Sequence, residues 1–480
     1  MNATCYVLSG SNSVEERTSG GFSLGRIGII GFLWLCLVAA AAPLSAESLR
    51  QAVRTALTTN PAMQARSAEM KASAYDLLGL RGEYEPTVTV FGDAGYERVN
   101  DPADLSPEDN NTTKFTRQIG FETAVILFDG YRRANLVYSM ASKVDGSIFR
   151  LLDASETMAL NATEAYIDVY RNRQLLGVAN RNIARHREIA EQVQTLVDGG
   201  RLPVSDGLQI QDRINAAVLA RLEVQQSLND AMARYERVIG HAPSGDMAIP
   251  TVHAPTSLQA LVNRSVTNSY RMQYAQTLID QSKYEKEIFN SEMQPQLSLA
   301  AGASTGRNRG GSSGAEDEAF IGLRLNWKIY QGGRKSERNA MSERTYAASA
   351  ERDVAYREVR ELATRTWNSY RSNAQRAATL EVQLAVNRLL VKQFDEEFQA
   401  AKRSLLDLLE VERALFNVEF QKASADASLA FSSYRILAAQ SVLAEHFGIQ
   451  KSDIALEPEY QARALVSPTS VFNTRVEKLE

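Results

Sequence analysis

Cysteine and histidine are scarce in this sequence, and their scarcity limits the chemistry it can support. Only two of the 480 residues are cysteine, Cys5 and Cys36, and both precede residue 47. If residues 1–46 were removed, the remaining chain would contain no disulfide, no thiolate metal ligand and no cysteine nucleophile. The four histidines are too scattered for a zinc site: His186, His241, His253 and His446. We therefore expect no metal, no cofactor and no catalytic residue, and do not expect an enzyme.

An excess of charge of one sign is also lacking. The 53 basic and 57 acidic residues give a formal net charge of −4, and the sequence contains no basic run or basic patch with interleaved aromatics. Proteins that bind nucleic acid concentrate positive charge where they meet phosphate groups. Nucleic acid is therefore not an expected partner.

Long apolar runs are rare, and the longest lies near the start of the chain. It extends from Ile27 to Ala42, after Arg26 and before the small-residue segment 43–46. This order is typical of a secretory signal peptide, with cleavage expected after Ala46. A membrane anchor is the alternative, but this run is shorter than the roughly 20 residues that span a bilayer as a helix. We expect residues 1–46 to be a signal peptide and the mature chain to be exported.

Proline is nearly absent from several long stretches that are rich in helix-forming residues. Residues 132–197 contain no proline and few glycines. As one continuous helix such a segment would extend for roughly 100 Å. A second helical region is predicted at 204–239, and the pattern recurs at 334–401 and 405–447. The sequence therefore predicts two long helical hairpins, with tips near 197–206 and 399–407.

The chain contains an internal duplication. Residues 48–64 align without gaps with residues 257–273, and residues 119–132 match residues 321–334 at a shorter offset. The tail has no strong periodicity, and we interpret it as an extended segment. The predicted organisation is a first repeat, a linker, a second repeat and a C-terminal tail: residues 47–240, 241–256, 257–447 and 448–480.

Each copy contains two segments with the alternation of a β-strand. In the clearest of them Ile321, Leu323 and Leu325 share one face, and polar residues occupy the other. Four strands cannot close a membrane barrel, because an open edge leaves backbone hydrogen bonds unmade in lipid and bacterial barrels begin at eight strands. If these strands lie in a membrane, several chains must contribute to one barrel. The four predicted strands are 86–98, 117–128, 295–304 and 320–329.

Several short motifs occur in the same order in both copies. "LFDGYRR" at 127–133 and "YQGGRK" at 330–335 follow strands, and the predicted helical tips carry "GGRLPVSDGLQIQ" and "AAKRSLLDLLEVE". Each motif alone is weakly specific, but their order, which is the same in both copies, is a strong signal. Together they resemble the TolC-like family of outer-membrane channel proteins, over about residues 47–447.

The resemblance implies an α+β membrane protein of two tandem repeats, each with two β-strands and a long α-helical hairpin. It further implies a homotrimer in which a 12-stranded β-barrel in the outer membrane is continued by a 12-helix α-barrel in the periplasm. Such proteins are passive exit ducts that dock on a periplasmic adaptor and an inner-membrane pump of the ABC or RND type. Outer-membrane lipid would be a further partner.

Two kinds of export remain open, together with one function without a pore. The form of "LFDGYRR" and of the second tip is most similar to the branch that serves type I protein secretion. The alternative is the outer-membrane component of a multidrug efflux pump. A periplasmic coiled-coil scaffold or adaptor without a pore is the remoter alternative, because it would not explain four strands at matched positions.

Two acids of the second tip, Asp407 and Glu410, are spaced to share one helix face. One interpretation is structural: Ser404 caps the helix, Asp407 completes an acidic variant of the capping box, and Glu410 is an ordinary surface carboxylate. The other is functional. In a trimer whose tips surround a pore, both acids would form carboxylate rings that favour cations.

The resemblance also implies a periplasmic gate. Arg403 matches an arginine that, in the closed state, ties its hairpin to an aspartate on the neighbouring hairpin, and Asp206 matches that aspartate. Phe398 matches an aromatic gate position that is typically tyrosine, and Ala401 stands where the family pattern has glycine. At the other end of the hairpins, the matched aromatics Phe128 and Tyr330 are candidates for an interfacial girdle.

Overall fold

A computed structural model describes residues 47–252 and 254–473 of the chain. The predicted signal peptide lies outside the described residues, as does His253. The elements of the first copy follow the order helix, helix, strand, strand, long helix, long helix. They are α1 (Leu49–Thr59), α2 (Pro61–Gly79), β1 (Thr87–Arg98), β2 (Thr113–Phe128), α3 (Arg132–Asp198) and α4 (Val204–Ile239).

The second copy has the same order of elements. They are α5 (Leu258–Asn268), α6 (Tyr270–Ser291), β3 (Gln296–Arg307), β4 (Ala315–Asn326), α7 (Arg334–Gln399) and α8 (Leu405–Ala439). Helices α3 and α7 have 67 and 66 residues, and α4 and α8 have 36 and 35. The predicted fold of two repeats, each with two strands and a long helical hairpin, is confirmed for the protomer.

The short helices begin in the same way in both copies because side chains cap them. The Ser48 hydroxyl accepts the backbone N–H of Gln51 at 3.3 Å, and the Ser257 hydroxyl accepts that of Ala260 at 3.2 Å. Each bond satisfies one of the N–H groups that a first helical turn leaves unpaired. Proline follows a capping asparagine at the start of α2, where its missing N–H costs no helical bond.

The linker between the copies is fastened to the main apolar core by two buried tyrosines. The Tyr166 hydroxyl of α3 donates to the carbonyl of Glu47 at 3.0 Å and lies 3.2 Å from the backbone N of Ala248. The Tyr434 hydroxyl of α8 donates to the carbonyl of Pro250 at 2.8 Å. Buried hydroxyls need such partners, so these bonds hold both repeats to the segment that joins them.

The four strands form one antiparallel sheet in the order β1-β2-β3-β4, so the two copies meet at β2 and β3. Three of its strands differ from prediction. Strand β2 begins earlier than expected, β3 continues to Arg307, and β4 spans Ala315–Asn326 instead of residues 320–329. Hydrogen-bonded pairing with β3 explains the earlier position of β4, because Ala315 pairs with Arg307 and Asn326 pairs with Gln296. The consecutive acids near the start of β4 therefore belong to a strand.

The C-terminal part differs more from the prediction. Helix α8 ends at Ala439, well before Phe447, because Ser441 takes a left-handed backbone conformation with φ of 56°. The tail is not extended as far as the structure describes it. It contains the short helices α10 (Lys451–Ile454) and α11 (Tyr460–Val466), and another short helix, α9 (Leu443–His446), precedes it. These helices contact α3, and several of their residues join the main apolar core.

Within the described ranges, no helix has both the length and the hydropathy needed to cross a bilayer.

Candidate functional site

The sheet has one apolar face that the protomer leaves exposed. By strand pairing, one row across this face is Val90, Phe121, Ala303 and Ala319. Val90 and Phe121 are both exposed, as are Ile321, Leu323 and Leu325 on neighbouring rows. A continuous exposed apolar surface that extends across several rows of a sheet needs a protein partner or a lipid environment.

The opposite face of the sheet is polar and acidic. One row across it is Thr89, Glu122, Gly302 and Phe320. Alternation adds further charged residues to this face: Asp93, Glu97, Lys114, Glu316, Glu318 and Arg324. Both cations of this face form ion pairs. Lys114 bonds Asp109 at 2.5 Å, and Arg324 lies 3.6 Å from Glu122. Carboxylates outnumber cations on the face that would line a pore.

Two phenylalanines interrupt this polar face, and each covers a glycine. A Cβ added at Gly120 would lie 2.8 Å from the ring of Phe91, and one added at Gly302 would lie 2.8 Å from the ring of Phe320. Glycine therefore leaves the space that lets each ring approach the neighbouring strand. The sequence analysis missed this arrangement, because it depends on strand register.

The helical tips are held together by an apolar cluster shared between the two hairpins. Phe398 of α7 and Leu408 of α8 are buried in it, together with Ile189 of α3 and Ile210 of α4. The leucines of the second tip thus serve helix packing. Phe398, which we expected at the gate, is buried in this cluster, with 6% of its surface exposed.

Asp407 occupies the capping position that the structural interpretation predicted. The Ser404 hydroxyl accepts the backbone N–H of Asp407 at 3.2 Å, and the Asp407 carboxylate accepts the N–H of Ser404 at 3.4 Å. The Ser404 hydroxyl also donates to that carboxylate at 2.9 Å. The acid therefore stabilises the first turn of α8.

Glu410 bonds two arginines. It lies 2.7 Å from Arg413 of its own helix and 3.4 Å from Arg213 of α4. The second contact joins the two hairpins of the protomer. A carboxylate held between two cations contributes less negative potential to a pore than a free one.

Arg403 and Asp206 are not brought together within the protomer. The Arg403 Nε atom donates to Glu397 at 2.7 Å, and its guanidinium lies 4.4 Å from the centre of the Phe394 ring. Hydrogen bonds from Gln393 and Arg403 lower the pKa of Glu397, and the bond to Glu397 raises the pKa of Arg403. In the described part of the chain, no ion pair reaches the Asp206 carboxylate. Sequence spacing gave no signal for Glu397 as the partner.

Arg185 of α3 forms ion pairs with both helices of the other hairpin. These contacts were not predicted from the sequence. Arg185 lies 2.7 Å from Glu412 of α8, 2.7 Å from Asp395 of α7 and 2.9 Å from Glu188 of its own helix. Burial alone would lower the pKa of Arg185, but its bonds to these carboxylates raise it. The side chain of Glu412 is almost fully buried. Its charge therefore depends on Arg185 for compensation.

Two buried acids of α3 hold the C-terminal helices. Glu156 accepts the backbone N–H groups of Leu443 and Ala444 at 2.8 and 3.2 Å. Asp145 accepts those of Tyr460 and Gln461 at 3.1 and 2.9 Å. Burial raises the pKa of Glu156 to about 7 and that of Asp145 to about 6, although the N–H bonds oppose the shift. Sequence analysis missed both, because their partners are about 300 residues away.

The two candidate girdle aromatics lie near the junction of sheet and helices. The rings of Phe128 and Tyr131 meet edge to face, with centroids 6.0 Å apart. Tyr330 is exposed and lies beyond the end of β4. Their contact with lipid headgroups remains a prediction. Among the residues described, no cluster of acids, histidines and cysteines could hold a metal ion.

Two curated proteins are similar in sequence over most of their length. The outer membrane efflux protein BepC of Brucella suis biovar 1 (strain 1330) is 25% identical over 422 residues, which cover 87% of this chain and 90% of the relative. The alkaline protease secretion protein AprF of Pseudomonas aeruginosa is 23% identical over 345 residues, covering 69% of this chain and 71% of the relative. No family model matches the chain.

Solved structures show the same fold. The outer-membrane channel OprN superposes with a TM-score of 0.71 at 17% identity, covering 82% of this chain and 89% of that one. The CmeC outer membrane channel of Campylobacter jejuni gives a TM-score of 0.71 at 13% identity, with 91% of each chain covered.

The chain shares its fold, a sheet carried on two long helical hairpins, with the protomers of these solved outer-membrane channels. In sequence and in fold, the chain is similar to the TolC-like family of outer-membrane channel proteins. This similarity is the basis for the outer-membrane location and the non-enzymatic role that we propose below.

Proposed function

We propose that the chain is the outer-membrane exit duct of a tripartite export system and works as a passive homotrimer. The observation that carries the proposal is the uncovered sheet with its apolar and acidic faces. Three such sheets would supply the twelve strands of a closed barrel, with the apolar face toward lipid and the acidic face toward water. The helical hairpins would continue the duct toward a periplasmic adaptor and an inner-membrane ABC or RND-type pump.

Assembly is tested by fractionation and electrophoresis. The duct should sediment with the outer membrane and run as a trimer in mild detergent. A periplasmic scaffold or adaptor would instead be recovered in the soluble or loosely attached fraction, as a species without conductance in planar bilayers. Recovery of only such a species would contradict the proposal.

Within this class, we propose type I protein secretion as the finer function. The motif "LFDGYRR" and the form of the second tip support it, and AprF, a relative, is described as a secretion protein. The similarity to BepC, described as an efflux protein, favours drug efflux as the second candidate. Deleting the gene separates the two. Loss of a secreted protein with unchanged drug sensitivity supports secretion, whereas increased drug sensitivity with an intact set of secreted proteins contradicts it.

The periplasmic gate that we propose uses Asp206 and Arg403, with Phe398 as a packing residue behind it. Asp206 lies in the first turn of α4 and Arg403 directly before α8, so the two residues occupy corresponding tips. Because Arg403 pairs with Glu397 in the protomer, the tie to Asp206 would form between hairpins of neighbouring copies. Asp407 and Glu410 would then add a cation preference at the same entrance.

Single-channel conductance tests the gate. Arg403→Ser and Asp206→Ala should each increase conductance, because either change removes the inter-hairpin tie. Glu397→Gln should not increase it, since it frees Arg403 for Asp206, and Lys402→Ser is the matched control at the adjacent position. Unchanged conductance in both gate variants would contradict the gate. A reversal potential that Asp407→Asn and Glu410→Gln leave unchanged would contradict the carboxylate rings.

A further inference from the structure

Two arginines face each other on the apolar side of the sheet. Arg117 of β2 pairs directly with Arg307 of β3, and both side chains are exposed. Like charges on directly opposed residues destabilise a sheet, because their Cβ atoms lie only about 5 Å apart. We propose that Arg117 and Arg307 together bind the phosphate group of an anionic lipid in the outer leaflet of the membrane. The proposal rests on the outward orientation of this face in the barrel proposed above.

The position of the pair along the strand fits the edge of the membrane. Arg307 is ten residues beyond Leu297, and Leu297 pairs with Leu325 near the other end of the apolar face. Ten residues of strand extend for about 33 Å, which corresponds to a height of about 25 Å at a tilt of about 40°. The apolar band of an outer-membrane barrel has about this height. The arginines therefore lie near the outer end of the apolar band, one row inside the exposed aromatic pair Tyr96 and Phe115.

The arginines mark the outer border of the band. The hairpin loops at residues 99–112 and 308–314 are close to them along the strands, whereas the long helices start at the opposite ends. In this family the helices are on the periplasmic side. The arginine pair therefore faces the outer leaflet.

Within the residues that the structure describes, no carboxylate forms an ion pair with either arginine. The carboxylate nearest in register on the same face is Asp317, which pairs with Thr305 one row further into the apolar band. In the described part of the chain, no ion pair or side-chain hydrogen bond reaches Arg117 or Arg307. By contrast, Arg98 on the same face donates to Asn111 at 2.8 Å.

The neighbouring residues leave the pair accessible. The row across the sheet is Ala94, Arg117, Arg307 and Ala315. Both flanking side chains are methyl groups, so a headgroup can approach the guanidinium groups from either side. Guanidinium groups bind phosphate oxygens through paired, charge-assisted hydrogen bonds. A phosphate bound between the two arginines would offset the positive charges that the sheet places next to each other.

The test uses the full-length protein in a neutral detergent, titrated with diphosphoryl lipid A and followed by native mass spectrometry. Arg117→Gln/Arg307→Gln should weaken binding by about tenfold or more, because two charge-assisted contacts are lost. Arg117→Lys/Arg307→Lys should weaken it less, since the charge stays and the paired geometry is lost. Arg324→Gln, on the opposite face, is the matched control and should bind lipid like the wild type.

Three results would overturn the inference. The first is equal binding by the wild type and the double glutamine variant. The second is equal binding of lipid A from which the phosphates have been removed. The third is inhibition of lipid binding by inorganic phosphate at the same phosphate concentration, which would mean that the arginine pair recognises the free anion. The double glutamine variant should still form a conducting trimer, so failure of this inference is distinguishable from failure of the proposed duct.

Discussion

The two long helices α3 and α7 descend from one duplicated segment and yet contact different surroundings. Helix α3 packs against α1, α2, α4, α6, α8 and the C-terminal helices, whereas α7 packs against α5, α6 and α8. Buried residues follow α3 along nearly its whole length, but few residues of α7 are buried. Duplication thus gave one helix at the centre of the protomer and one at its side.

The difference is clearest near the tips. Helix α3 ends at Asp198 and α7 at Gln399, so counting back from the ends matches Arg181, Arg185 and Glu188 with Val382, Val386 and Leu389. The charged set makes ion pairs within the protomer. The apolar set is exposed and forms a stripe together with Leu390. We interpret this divergence as a division of roles. Helix α3 makes contacts within a protomer, and α7 would contact a neighbouring protomer in the proposed trimer.

The largest expected effect is on assembly. Leu389→Glu places a charge in the exposed stripe of α7 and should abolish the trimer, because it would bury an unpaired carboxylate between chains. The protomer should still fold, since Leu389 is 69% exposed in it. Size-exclusion chromatography with light scattering measures the mass. Gln383→Glu, an exposed position beside the stripe, is the control and should remain trimeric, while a trimeric Leu389→Glu variant would break the comparison.

Next in size is the ion pair on the α3 side. Arg185→Leu should lower the free energy of unfolding of the tip by about 3 kcal/mol, because it leaves the buried Glu412 without compensation. Hydrogen exchange at the amides of residues 405–415 measures the change.

The matched control is Arg181→Leu. Its side chain is 65% exposed and lies 3.6 Å from Glu419, so its removal should change stability by less than about 1 kcal/mol. Equal effects of the two leucine variants would show that burial of the pair does not matter.

The third prediction concerns the pH dependence of the C-terminal helices. The pKa of Glu156 is raised from 4.5 to about 7, so the packed state binds a proton more tightly than the released state. The contribution is therefore fully present below about pH 4.5 and is lost as pH rises through about 7, by about 3 kcal/mol in total. The charged neighbours Asp153 and Glu445 both act to raise the pKa of Glu156 further.

Hydrogen exchange at residues 443–449, corrected for the intrinsic rate at each pH, measures this dependence between pH 5 and pH 8. Protection should decrease with pH in the wild type and stay level in Glu156→Gln. Counting from the first residues of α3 and α7 matches Glu156 with Glu358, which is exposed. Glu358→Gln should keep the wild-type profile, and a level profile in it would refute the assignment to Glu156.

The smallest expected effect distinguishes the two turns at the tips. Gly200 of the first tip has a φ of 69°, and its counterpart Ala401 in the second has a φ of 54°. Alanine in this left-handed conformation costs about 1 kcal/mol. Ala401→Gly should therefore stabilise the second tip by about 1 kcal/mol in thermal unfolding, whereas Gly200→Ala should destabilise the first by a similar amount. A loss of stability in Ala401→Gly would contradict the strain.

The sequence was informative where local pattern determines structure. The helical hairpins follow from helix-forming composition without proline, and the start of α4 at Val204 agrees with the structure. Alternation identified the two faces of β4, but its first residues lie outside the predicted strand 320–329. Consecutive acids such as Glu316 and Glu318 are unusual in a strand, and pairing with β3 outweighs that preference.

Contacts between distant segments were beyond prediction. The C-terminal helices depend on Asp145 and Glu156, whose backbone partners lie far along the chain. The tie from Arg403 to Asp206 of a neighbouring hairpin stays a prediction. Within the protomer Arg403 pairs with Glu397, because the turn of the tip brings the two together. Comparing the two copies residue by residue would have drawn attention to Arg185, since its counterpart is a valine.

In the proposed duct, the glycines beneath Phe91 and Phe320 would limit how far these rings project from the inner wall. Each ring lies over a position without a side chain, so the aromatic surface stays close to the wall. A methyl group at Gly120 or Gly302 would force the ring off the wall, and a threefold assembly would repeat the displacement around the axis. In the proposed barrel, the calibre near the middle of the strands would thus depend on two residues that have no side chain at all.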